Sequence, residues 1–151
     1  EDLIVETLYL QQPKIIAYVQ ELMNDPALSW RDAVKQFLHA CCYGEKNGIA
    51  VLTIEEQQLI FKRLSKESCQ VFRGRQLRLF GQILENFGIR ADTARVSLFT
   101  NLSLTVMVVR RAIPNTLPLL IPEVVDETVD FQINAIVDAL EILKEQNPQP
   151  Q

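Results

Sequence analysis

Three cysteines and a single histidine are the residues of this chain best suited to nucleophilic or metal chemistry. His39, Cys41 and Cys42 lie close together, and Cys69 stands apart. Neighbouring residues on a helix point about 100° apart, so His39 and Cys42 share a face while Cys41 turns away. A metal site built here would need further donors at CxxC or HExxH spacing, and neither is present. Buried thiols in a helical core account better for these cysteines. The lone histidine also limits catalysis. A Cys/His or Ser/His/Asp site would have to use His39, which lies on a largely apolar helix, and no GxSxG elbow occurs. The acid pairs Glu55/Glu56 and Asp126/Glu127 fall where first helical turns carry acids that favour the helix dipole. No GxxxxGK[ST] loop is present, and RGRQLRLFG lacks the glycine spacing of a dinucleotide site. The expectation is a non-enzymatic protein with no cofactor and no metal.

Recognition of an anion is the other chemistry within reach. In ENFGIRADTARVSLF one helix should end on Gly88 and another begin four residues later, with arginines around the joint. A DNA-reading helix-turn-helix asks for an apolar and then a small residue, a glycine in the turn, and apolar positions that lock the second helix. Ile83, Phe87, Gly88 and Ile89 meet that pattern over 80–99. Leu84, where a small residue belongs, departs from it, and so do Ala94 and Ser97 as weak locking positions. On this reading Thr93, Arg95 and Ser97 face base edges, with Arg75, Arg78 and Arg90 on phosphates and Arg73 extending the basic surface. Charge partitions in the same region: residues 62–111 carry a net +7, against −5 over 1–61 and −6 over 112–151, inside a formal net charge of −4. A dedicated nucleic-acid domain is usually basic overall. Neutralisation of the basic middle by the acidic ends is therefore preferred to an anionic partner, and a helix corner to a reading head.

The elements that must position these residues are helical. Clean period-two alternation is nearly absent. At 151 residues and 48% hydrophobic, the chain can bury one core without staples. The reading is an all-α, single-domain bundle of six to seven helices over 1–146, with 147–151 as a disordered tail or linker. The first helix covers about 2–10. Pro13 opens a second, with Ile15, Ile16, Val19, Leu22 and Met23 as its stripe. Ser29 with Asp32 starts a third that Gly44 ends; Thr53 with Glu56 forms a capping box for a fourth. Ser65 or Ser68 caps a long helix to Phe87, and Asp92 or Thr93 starts another. Its apolar residues fall almost all round the wheel over 93–112, so it should be the buried central helix. Pro114, Pro118 and Pro122 bracket an extended crossover before the last helix, about 123–146. Trp30, Phe37, Phe61, Phe72, Phe80, Phe87 and Phe99 are expected in the core.

The last helix carries two stripes. Val125, Val129, Ile133, Ile136, Leu140 and Leu143 make a core face, while Val124, Phe131, Ala135 and Ile142 lie roughly opposite, where a partner would meet them. The functional expectation is a protein-interaction or regulatory domain that associates with itself. A nucleic-acid regulator using the 80–99 corner is the alternative, and a helical sensor for a small apolar ligand is a third reading. The odd cysteine count suits a reducing, cytoplasmic compartment. The longest charge-free stretch, Val96 to Val109, is 14 residues, short of the roughly 20 that a spanning helix needs.

Overall fold

A computed structural model of the chain describes residues 2–44, 54–111 and 121–146. Among the described residues there are six α-helices and no strand: α1 Asp2–Asn24, α2 Trp30–Tyr43, α3 Ile54–Arg63, α4 Lys66–Asn86, α5 Thr93–Arg111 and α6 Val125–Glu145, the last entered through a 3-10 turn at Pro122–Val124. Thr53 of the expected capping box, most of the proline-bracketed crossover and the 147–151 tail lie outside the described residues.

The helix starts and stops follow side-chain chemistry. Ser29 accepts the Asp32 N–H at 3.1 Å and so satisfies one of the orphan donors of α2. Gly44 ends that helix in the left-handed region at φ 67. Of the two candidate serines, Ser65 caps α4, accepting the Ser68 N–H at 3.0 Å. Asp92 rather than Thr93 caps α5, accepting the Arg95 N–H at 2.8 Å.

Pro13 does not start a helix. It lies inside a continuous α1, which corrects the expected pair of helices to one. Proline in a helix interior removes a donor and costs about 3 kcal/mol. Contacts on both sides of it offset that cost. N-terminal to Pro13, the Tyr9 ring stacks on Phe72 of α4 with centroids 6.1 Å apart; C-terminal to it, Val19 and Leu22 enter the core.

The core joins α1, α2, α4, α5 and α6, and its centre is aromatic. Phe37 meets Phe87 edge-on at 5.7 Å, Phe87 meets Phe99 at 6.1 Å, and Phe99 meets Phe80 at 5.4 Å. Each such pair contributes roughly 0.5–1.5 kcal/mol beyond its buried area. Trp30 and Phe72 sit at the margin, and Phe61, expected in the core, is 41% exposed on α3.

Helix α5 is central, packed against α2, α4 and α6. Its buried face is Val96, Phe99, Thr100, Ser103 and Val106. Burial all round, as the composition suggested, is not what the bundle provides: its neighbours cover one side, and Leu98 and Val108 are each 44% exposed on the other.

Candidate functional site

The Gly88 corner is assembled from the backbone outward. Ile89 N–H bonds Leu84 C=O at 3.0 Å and Gly88 N–H bonds Glu85 C=O at 2.9 Å, a paired closure that places Gly88 in the left-handed region at φ 78. Ile89 and Leu84 are both buried beneath it. Leu84 is therefore needed as a large residue. The small residue at the approach of α4 to α5 is Gly81, where a Cβ would stand 3.6 Å from Val96 and 3.9 Å from Ala91.

Two other helices close over this corner. The Trp30 indole N–H, from α2, donates to the Phe87 carbonyl at 2.7 Å and so satisfies an orphan acceptor at the end of α4. Lys144 of α6 places its ammonium 4.6 Å from the centre of the Trp30 ring, with its Cε 3.8 Å from where a Gly88 side chain would begin. A cation at a helix C-terminus is favourable to the dipole. The corner is a junction of α2, α4 and α6, and the only tryptophan in the chain is its keystone. Nothing in the sequence spacing places Trp30 there, because the contact spans 57 positions.

The expected anion-contacting residues are not brought together. Arg95 forms an ion pair with Asp92. The Arg95 backbone N–H holds the Asp92 carboxyl below the usual carboxylate range, with the Arg95 charge and nearby Arg90 adding to the effect. The N-terminus of α5, where a phosphate would dock, thus already holds a carboxylate. Arg75 lies over the Tyr9 ring at 3.9 Å. Arg78 shares an open groove of about 420 Å³ with Glu85, Gly81, Thr93 and Ser97. Arg73 is exposed on α4, but at 100° per residue it points about 140° away from Arg78. Arg90, Thr93 and Ser97 are exposed. Ala94 and Ser97, the locking positions of a helix-turn-helix, face outward and lock nothing; Val96 and Phe99 do that work from the buried face.

Other polar contacts tie α6 to the bundle. Arg31 of α2 bridges Asp138, at 2.6 Å, and Glu141, and these two bonds raise its already high pKa. The Tyr43 hydroxyl donates to Asp126 at 2.7 Å, with Arg110 above the Tyr43 ring at 4.6 Å and 3.7 Å from the same carboxylate. Burial, and then the bond to Asp126, push the Tyr43 pKa up to about 12. The basic middle is therefore tied to the acidic C-terminal third through Arg110, while most of its arginines stay at the surface. His39 stacks on Tyr43 at 4.3 Å, and none of the three cysteines forms a disulfide, Cys42 being buried. Among the described residues no three metal-ligating side chains converge, and no helix is long and apolar enough to cross a membrane.

The outer stripe of α6 lies where the helical period puts it. Val124 is 49%, Phe131 79% and Ile142 54% exposed, and Ala135 is exposed between them. The stripe borders a recess of about 220 Å³ between α5 and α6, lined by Leu102, Thr105, Val106, Gln132, Ala135 and Ile136. Along α5 the wall continues at spacings of four, three and four through Leu98, Leu102, Thr105 and Val109; along α6, through Thr128, Gln132, Ala135 and Ala139. None of these is charged. Beyond the stripe, on the side away from α5, Glu127, Asp138 and Glu145 fall on one line of the helix.

An all-α bundle with an uncharged groove and an exposed aromatic beside it is the class these observations define. Comparison with protein families, curated proteins and solved structures returned no match.

Proposed function

We propose that the chain is a non-enzymatic interaction domain that associates with a second copy of itself through the outer face of α6 and the adjoining groove. The observation that carries this reading is Phe131. An aromatic 79% exposed on a rigid helix, with Val124, Ala135 and Ile142 on the same stripe, leaves a contiguous apolar strip in water, the mark of a contact surface. The stripe also lies on a helix braced to α2 by Arg31 and Tyr43 through Asp138, Glu141 and Asp126, so docking would require little ordering. Three cysteines, none in a disulfide, support a reducing, cytoplasmic setting.

The test is the mass in solution as a function of concentration. Sedimentation equilibrium of the wild type should show a mass that rises above 17.3 kDa with concentration. Phe131→Asp should weaken association by about tenfold or more, because a carboxylate would be desolvated at the contact. A wild type that stays at the single-chain mass to about 100 µM, a concentration that captures even weak pairs, overturns the reading.

A further inference from the structure

Helix α1 packs on α2 and α4 and turns its other side to solvent over most of its length. Leu3, Glu6, Leu10, Lys14 and Ala17 all lie exposed on that side. Leu3, Leu10 and Ala17 recur every seven residues, a spacing that keeps them in line along a helix. Leu3 is 76% and Leu10 68% exposed. Apolar residues standing singly at a surface are ordinary; the charges that flank these are what set them apart.

Glu6 stands four residues before Leu10 and Lys14 four residues after it. Within one helix the two are about 12 Å apart along the axis, out of reach of each other. Neither is engaged in an ion pair among the described residues. A two-fold axis perpendicular to α1 at Leu10 matches each residue with the one equally far on the other side of Leu10 in a second copy. Leu10 then meets its own equivalent, Leu3 is level with Ala17, and Glu6 is level with Lys14 at both ends of the contact. Glu6 and Lys14 lie about 40° to either side of the leucine line, and the four-carbon stem of lysine lets its ammonium cross the seam. Parallel pairing of the same two helices would set Glu6 beside Glu6 and Lys14 beside Lys14, and like charges facing each other at a contact oppose association. Charge therefore selects the antiparallel sense.

The remaining groups do not oppose it. Thr7 comes level with Pro13 of the second copy. The Thr7 hydroxyl already donates to the Leu3 carbonyl at 2.8 Å, and proline has no N–H, so that level brings no unmet donor to the seam. Val71 of α4, 54% exposed, shares a groove of about 730 Å³ with Leu10 and extends the apolar area at the centre.

We propose that α1 is a second self-association surface, on which two copies pair antiparallel across a two-fold axis at Leu10, with Glu6 of each copy joined to Lys14 of the other. This contact does not rest on the α6 reading, because it uses a different helix and different charges.

Charge reversal in a chain that already carries Phe131→Asp tests it, since that substitution removes the α6 contact. By sedimentation equilibrium at low salt, the Phe131→Asp chain should still pair as its concentration rises. Adding Glu6→Lys, or adding Lys14→Glu, should weaken pairing by about tenfold, because both matched pairs become like-charged. An equimolar mixture of those two chains should recover it, because every matched pair in the mixed dimer is again of opposite sign. Both substitutions in one chain should recover it too. Parallel pairing predicts no loss from either change alone. A Phe131→Asp chain that stays at the single-chain mass up to about 1 mM overturns the proposal, as does pairing indifferent to either reversal, or a mixture that stays monomeric. The α6 reading is decided separately, by whether Phe131→Asp weakens the wild type. Both reversed positions are exposed, and circular dichroism checks that each variant folds.

Discussion

At the level of single residues, polar chemistry in this chain is spent on fixing helices to one another. Tyr43 is the clearest case. Its hydroxyl is held by Asp126 at 2.7 Å, and burial followed by that bond raises its pKa to about 12. Folding thus favours the protonated phenol. The stability this adds is fully present below the ordinary phenol pKa of about 10 and is lost as pH climbs from there through about 12. Tyr43→Phe should cost about 1 kcal/mol at neutral pH. In urea unfolding series, the gap between wild type and Tyr43→Phe should hold steady up to about pH 10 and close above it. A gap that persists undiminished at higher pH would separate the stability of this contact from the ionisation of Tyr43. Asp92 shows the same economy with the opposite sign. It caps α5, binds Arg95 and titrates low, so its stabilisation is lost as pH falls through its depressed pKa.

At the level of elements, the boundaries were legible wherever a local rule sets them. Ser29, Gly44, Gly88 and Asp92 act within four residues of themselves, and each does what its chemistry implies. The outer stripe of α6 was legible for the same reason, since a helical period fixes which side chains share a face. Features decided by distant partners were hidden. Pro13 reads as a helix start because its local cost is large, and only packing on α4 and α2 carries α1 through it. The all-apolar wheel of α5 reads as all-round burial, yet the number of neighbours is a property of the bundle. Trp30 is hidden most completely: its bond to Phe87 ties the start of α2 to the end of α4. Trp30→Phe keeps an aromatic ring, though a smaller one, and removes the donor, leaving the Phe87 carbonyl without this partner. It should lower stability by about 1–3 kcal/mol, measured by chemical denaturation, with the Gly88 corner losing amide-exchange protection first. Uniform loss of protection across α4 and α5 would instead mean that Trp30 acts through its bulk alone.

At the level of the whole molecule, the division of charge along the chain invites a nucleic-acid reading that the three-dimensional arrangement weakens. Backbone-driven DNA binding needs several cations aligned along one surface, each adding about one unit to the salt dependence. Here Arg95 is engaged by Asp92, Arg75 lies over Tyr9, Arg110 is directed toward Asp126, and Arg73 points away from Arg78 around α4. Arg78 shares its groove with Glu85. The corner that would enter a groove is already closed by Trp30 and Lys144. The expected result for a labelled duplex at low salt, where even non-specific binding is much tighter than its roughly 1–100 µM at physiological salt, is no saturable polarisation change up to tens of micromolar, with Arg95→Ala indistinguishable from wild type. Steep, salt-sensitive binding lost in Arg95→Ala would show that the Asp92–Arg95 pair opens to release a phosphate contact. The basic middle would then be a functional surface and the α6 face a secondary one. Absence of binding leaves the strip across α5 and α6 as the proposed contact surface, because Phe131, the most exposed of the large apolar side chains among the described residues, stands on it.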